Sequence, residues 1–311
     1  MEEKTKKRQT KKLKNINCHP KIKNKTISKK SCMTPEVLND LKTAFNKSYP
    51  KMKIKSNTSN VIWSELKDKI QSCNREDCWL SEIKELKEKD KNKIKKELFA
   101  PYQPEDWKTN PSTWLSNFDI LEVLQQYESA YPHFKFIGPS PIDFDSKPTE
   151  YNDKCVWKDL CTFQLKDLVK EKLTKIGVVF NLDKHNQPGS HWTSLFVDLE
   201  DKFIFYFDSA GEKMPGEVES LVKRIINQGL YLITPIKFDF YETWNSNEPI
   251  VHQFGNNECG MYSLYFIICM LKNEKEPNKK FRSLQDKLNH FLKKRIPDKY
   301  VFQKRGIYFN N

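Results

Sequence analysis

The sequence contains no apolar run near the length of a membrane span, and its first residues are charged where a signal peptide would carry an apolar core. Membrane insertion and secretion are therefore not expected, and an intracellular protein with reduced thiols is. In that setting the eight cysteines, at 18, 32, 73, 78, 155, 161, 259 and 269, read as free, metal-bound or catalytic and not as a disulfide frame. Acid is nearly missing from residues 1–30, where twelve Lys and Arg face only Glu2 and Glu3, so ten of the thirteen net positive charges sit there. The basicity thus belongs to a terminal stretch and not to the body of the chain. With little apolar surface to bury, residues 1–32 read as a disordered tail. Its charge suits a solubilising segment, an import signal or a nonspecific, salt-dependent nucleic-acid arm over residues 1–31.

What remains is ample for a core: 311 residues, 37% hydrophobic. Thr34-Pro35-Glu36 is a helix start, a cap residue followed by proline, and Val37, Leu38, Leu41 and Phe45 form one apolar face. Ile62, Leu66 and Ile70 predict a second helix, and Ile83, Leu86, Ile94 and Leu98 a third. Cys73 and Cys78 between them are candidate zinc ligands with Cys18, His19 or Cys32, at a spacing unlike the common zinc knuckles. Residues 33–100 therefore read as a helical subdomain. Pro101, Pro104 and Pro111 mark the passage to a second domain over 101–311. There the pattern predicts an amphipathic helix within Thr113 to Tyr131, a strand over His133 to Ile137 followed by a GPSPIDFD loop, and a helix within Asp153 to Lys172. Strands follow at Ile176 to Leu182, His191 to Leu199, Lys202 to Asp208 and Ile236 to Tyr241, with a helix over Gly216 to Gln228 and another around Phe281 to Lys294.

Within this domain the stretch Val251 to Leu271 runs from a polar Asn, Gln and Gly segment through Cys259-Gly260 into an uncharged apolar helix. A thiol at a helix N-terminus meets unpaired backbone N–H groups and the positive end of the helix dipole, both of which favour the nucleophilic thiolate. The plainer reading is a small buried residue, which suits Cys269 in the same helix. Thiol catalysis also needs a base, a group to orient it and donors for the oxyanion. His191 opens one predicted strand and Asp208 ends the next. If the intervening LEDK makes a two-residue turn that pairs Leu199 with Lys202, the two side chains share a face. Gln253, six residues before Cys259, can offer its side-chain N–H to the oxyanion beside the Cys259 backbone N–H. Asp208 also reads as a turn residue before Ser-Ala-Gly, and His185 and His252 compete with His191 for the role of base.

The order His191-Trp192, Asp208-Ser209, then Gln253 followed by five residues and Cys259-Gly260 resembles the cysteine peptidases of the SUMO-protease and adenovirus-protease superfamily. The likeness reaches back to Trp114-Leu115-Ser116-Asn117, where SUMO proteases have Trp-Leu-Asn-Asp. The Leu-Ser-Asn-Phe-Asp-Ile run, Pro141 to Phe144 and the helical extension look most like the polyprotein-processing thiol proteases of large cytoplasmic DNA viruses, African swine fever virus among them. The resemblance implies a papain-like α+β protease with a central mixed sheet and a cysteine helix, needing no cofactor and no metal. It implies His191 as base, Asp208 as its partner, Cys259 as nucleophile and Gln253 as oxyanion donor. Trp192 and Trp114 would wall a channel narrow enough to demand glycine, though core packing is their simpler role. Asn117 replaces the aspartate of SUMO proteases, which disfavours a SUMO-type contact. The expectation is cleavage after Gly-Gly in viral structural precursors, in the host cytoplasm and the virion. The alternatives are a SUMO- or ubiquitin-like isopeptidase and an inert nucleic-acid-associated core protein.

Overall fold

The computed structural model describes residues 12–22, 24–276 and 279–311. The chain forms two compact units, one of residues 12–102 with 308–311 and one of residues 103–307.

The first unit is helical. Thr34 caps α1 (Pro35–Ser48), its hydroxyl accepting from Val37 N at 3.4 Å, with proline at the first helical position. Leu38, Leu41 and Phe45 are buried, and α2 (Ser59–Lys69) adds Ile62 and Leu66. The third expected helix is instead two, α3 (Trp79–Glu82) and α4 (Glu88–Leu98), with Ile83 and Leu86 buried in the turn between them. Apolar spacing continued through the turn, so periodicity did not mark the break. Residues 12–22 and 24–32 correct the expectation of a disordered tail. Ile22 is part of the core and Leu13, Ile16, Cys18 and Ile27 pack against it, few in number but spaced to reach the helices. The tail residues 1–11 lie outside the described residues.

The cysteines are a second correction. Cys18 is bonded to Cys32, Cys73 to Cys78 and Cys155 to Cys161, leaving free thiols only at Cys259 and Cys269. Turns bring each pair of Cα atoms to 5.2, 5.7 and 6.2 Å, within the reach of a disulfide. The Cys73 and Cys78 sulfurs lie near a Glu82 carboxylate oxygen, but bonded to each other they are not the thiolates that zinc binds.

The second unit is a mixed five-stranded sheet in the order β1-β2-β3-β4-β5, with helices on both faces. A capping box between Ser116 and Asp119 starts α5 (Asn117–Ala130), which leads into β1 (Phe134–Pro141). β1 therefore takes in the first residues of the expected loop. The helix sought between Asp153 and Lys172 is broken into α6 (Lys158–Cys161) and α7 (Leu165–Lys170). Next come β2 (Lys175–Asn181), β3 (Trp192–Asp198), β4 (Phe203–Phe207), α8 (Gly216–Leu230) and β5 (Asp239–Glu242). The outer pairs β1/β2 and β4/β5 are parallel and the inner ones antiparallel.

Side chains alternate across β4. Ile204 and Tyr206 join Leu195 and Val197 in a core with Val218, Leu221 and Ile225 of α8. Phe205 and Phe207 face the other way, their rings 5.0 and 4.7 Å from Phe266 of α9 (Cys259–Lys272). Every residue of α9 from Cys259 to Leu271 is buried, as its uncharged sequence requires. A hairpin of β6 (Glu274–Glu276) and β7 (Lys279–Lys280) follows, then α10 (Leu284–Leu292) and α11 (Asp298–Tyr308). Sequence reading left α11 unassigned because no apolar stripe marks it: Lys304 and Arg305 lie on its buried side with Val301 and Tyr308, while Phe302 and Ile307 are exposed.

Candidate active site

The β3–β4 hairpin carries two of the expected residues at its open end. Its ladder runs from Ser194 opposite Phe207 to Asp198 opposite Phe203, the register that pairs Leu199 with Lys202. The Asp198 carboxylate fixes the turn, accepting from Glu200 N and Asp201 N at 3.0 Å each. His191, just before β3, and Asp208, just after β4, therefore meet: His191 Nε2 donates to Asp208 Oδ1 at 2.7 Å. Asp208 is fully buried and has no freedom to turn away. Its Oδ1 also accepts from Ala210 N at 2.8 Å, and its backbone N–H donates to Thr243 Oγ1 at 3.0 Å.

The imidazole also meets Cys259, the first residue of α9 and itself buried. Burial lowers the affinity of His191 for a proton, but hydrogen bonds and electrostatic attraction to Asp208 and Cys259 outweigh it, and its pKa is pushed up to about 10. The imidazolium is thus the favoured form beside the sulfur, an arrangement able to hold a thiolate–imidazolium pair.

The competing histidines are engaged elsewhere. His252 is buried, its Nδ1 accepting from Ile296 N at 3.0 Å and its Nε2 donating to Phe291 O at 2.9 Å. Burial brings its pKa down to about 4, so it is neutral and serves as a tie to the end of α10. His185 pairs through Nδ1 with Asp143 at 2.7 Å.

Gln253 is tied to the residue that follows Asp208. Its backbone N–H donates to Ser209 O at 2.8 Å, and the Ser209 hydroxyl donates to Gln253 Oε1 at 2.8 Å. With its oxygen tethered, the amide presents nitrogen to its surroundings. Sequence reading gave Ser209 no role of its own, and nothing in FDSAGE distinguishes it from a turn serine. It also missed Glu258, immediately before the cysteine, whose buried carboxylate forms an ion pair with buried Arg305. Arg305 is held in turn over the Trp107 ring at 3.9 Å. The pair fixes the start of α9, and its partners are too distant in sequence for any local pattern to link them.

Trp192 and Trp114 differ. Trp192 is buried and its Nε1 donates to Leu115 O at 3.0 Å, whereas Trp114 is 41% exposed. Both nonetheless line one cleft of about 560 Å³, together with Asn117, Tyr151, Trp157 and His185. Cys259 is linked to this cleft through its neighbour: a Cβ on Gly260 would lie 3.0 Å from Leu115 Cβ and 3.3 Å from Trp192 Cδ1. The helix N-terminus can approach the cleft wall this closely because residue 260 has no side chain.

Residues 151–301 match the family described as the Ulp1 protease family, C-terminal catalytic domain. The chain is 32% identical over 184 residues to a thiol protease of Acanthamoeba polyphaga mimivirus, covering 57% of this chain and 54% of that protein, and so spans about half its length. It is 28% identical over 264 residues to a cysteine protease of African swine fever virus, covering 81% of this chain and 90% of the relative. The crystal structure of an African swine fever virus protease superposes with a TM-score of 0.61 at 24% identity, over 94% of this chain and 95% of that one. The α+β fold with its cysteine helix and helical N-terminal region is thus the expected one.

Proposed function

We propose that this chain is a cysteine protease of the Ulp1 family and that it hydrolyses peptide bonds following Gly-Gly in viral structural precursor proteins. The carrying observation is the half-buried His191, hydrogen-bonded to Asp208 at 2.7 Å and set beside Cys259. In this reading the Cys259 thiolate attacks the scissile carbonyl, and the oxyanion is met by Gln253 Nε2 and the Cys259 N–H. The His191 imidazolium gives its proton to the leaving amine, and a thioester forms. His191 then takes a proton from water, whose oxygen attacks the thioester and restores the thiolate. Asp208 keeps the imidazole aimed at sulfur throughout.

The glycine preference is supported by Trp192 and Trp114 on the walls of one cleft, where a Cβ on the substrate would compete with indole for space. Asn117 supplies no negative charge there for a modifier's basic surface. We further propose action in the infected cytoplasm and the virion, with nonspecific nucleic-acid contact through the basic segment. Lys12, Lys14, Lys21, Lys25, Lys29 and Lys30 are all exposed, as such contact needs.

Specificity is tested by offering the enzyme Gly-Gly-X peptides, Ala-Gly-X and Gly-Ala-X controls, and SUMO conjugates. Turnover confined to Gly-Gly-X peptides, and absent from Cys259→Ala with unchanged circular dichroism, is the expected result. Preferential turnover of SUMO conjugates would move the assignment to an isopeptidase, and undiminished turnover by Cys259→Ala would remove Cys259 as nucleophile.

A further inference from the structure

The loop that carries Gln253 is held by a carboxylate that no step above uses. Residues 254–256 are exposed, with Phe254 at 73%, so apolar packing does not fix this loop and hydrogen bonds must. Asp298, the first residue of α11, supplies them. Its Oδ2 accepts from Phe254 N at 3.1 Å and from Gly255 N at 3.2 Å, two consecutive N–H groups of the turn. Its Oδ1 lies 2.9 Å from the hydroxyl of Tyr262, in the first turn of α9. Arg295 Nη2 donates to Oδ2 at 3.2 Å, and the same guanidinium stacks 3.5 Å from the centroid of Phe254. Asp298 thus joins the loop to the cysteine helix through charge-assisted bonds, the stronger kind.

The consequence falls on Gln253. The Gly255 carbonyl, set by the turn that Asp298 holds, accepts from Gln253 Nε2 at 2.8 Å. Ser209 holds the amide oxygen from the other side. One Nε2 proton is used by Gly255, and the direction of the second is then determined. We infer that Asp298 is a positioning residue for the oxyanion site, shaping the 253–255 turn so that the second Nε2 proton of Gln253 points at the developing charge. This deepens the proposed function and rests on the donor role given there to Gln253.

The test uses the full chain with Asp298→Asn, Gln253→Ala and both together. Asparagine keeps the shape but cannot offer oxygen on both sides of the carboxylate position. Three quantities are read: kcat and KM on a Gly-Gly-X peptide, affinity for a peptide aldehyde ending in glycinal, and the rate of Cys259 alkylation by iodoacetamide. The aldehyde adduct carries an oxygen in the oxyanion position, whereas alkylation at a saturated carbon develops none there. Asp298→Asn is expected to lower kcat by roughly tenfold to a hundredfold at unchanged KM. Aldehyde affinity should fall by a similar factor, alkylation should not change, and the substitution should add nothing in the Gln253→Ala background. Should Asp298→Asn fail to fold, Asp298→Glu keeps the charge and displaces it, with the same selective loss expected. Alkylation slowed as much as kcat, or an undiminished effect without Gln253, would make Asp298 merely structural and overturn the inference. If Gln253→Ala weakens the aldehyde and Asp298→Asn does not, this inference alone falls. If Gln253→Ala leaves the aldehyde untouched, the donor role falls with it.

Discussion

At the scale of single residues, catalysis turns on one imidazole whose proton affinity is set by opposing effects. Burial disfavours the charged form of His191, and its hydrogen bonds and electrostatic interactions with Asp208 and Cys259 restore it and more, to a pKa of about 10. The folded value lies above the ordinary 6.5. The stabilisation from the His191 contacts is therefore fully present below the unfolded pKa and is lost as pH rises through the folded one. The same proton serves the leaving amine, so the alkaline limb of kcat should fall near pH 10. Asp208→Asn removes a negative charge and leaves the cavity shape nearly unchanged. It should move that limb toward neutrality and lower kcat roughly 10²- to 10⁴-fold. A pH–rate profile of the variant checks both, and an unmoved limb would mean that Asp208 does not set the proton affinity. His191, Asp208 and Cys259 were legible in the sequence because each stands at the end of a recognisable strand or helix, and Gln253, in a loop, by its spacing from Cys259. Ser209, Thr243, Asp298 and Arg305 were not. Their importance lies in partners that only folding brings near: Asp298 acts 43 residues from Gly255, and Arg305 47 from Glu258.

At the scale of elements, the site depends on how closely α9 approaches the segment around Leu115. Gly260→Ala places a methyl group 3.0 Å from Leu115 Cβ, tighter than ordinary contact, beside the indole of Trp192. The helix must retreat or the cleft wall must move. A loss of about 1–3 kcal/mol in stability is expected, with a larger fractional loss of cleavage because Cys259 moves with the helix. Denaturant unfolding and peptide kinetics on one preparation check it, and a variant of unchanged stability and rate would show that the approach is not tight. Element type was easiest to read where one periodicity dominated, as in β3, β4 and α9. It failed where apolar spacing ran through a turn, at Ile83 and Leu86, and where no apolar stripe marked a helix, at α11. β1 ran past its expected end because Gly138 to Pro141 look like loop residues, yet Ser140 and Pro141 pair with Phe180 and Asn181 of β2.

At the scale of the whole molecule, the features hidden from the sequence are the non-local ones. Residues 308–311 belong to the helical unit through Asn310, whose backbone N–H donates to Pro101 O at 2.7 Å and whose Nδ2 donates to Asn17 O at 3.0 Å. No local pattern links residue 310 to residue 17. The three disulfides were missed for a related reason: composition argued for reduced thiols, whereas pairing depends on turns that bring Cα atoms within reach. Their presence sharpens the chemistry, since six of eight sulfurs are thereby removed from competition. Two free thiols remain on one helix, and they are in opposite surroundings. Burial pushes the Cys269 thiol up to about 12, while Cys259 faces His191. The most direct measurement is therefore site mapping by mass spectrometry after reaction with a peptide ending in Gly-Gly and a thiol-directed electrophile. A single adduct on Cys259, lost in His191→Ala, is the predicted result. No adduct, or one on Cys269, would contradict the account.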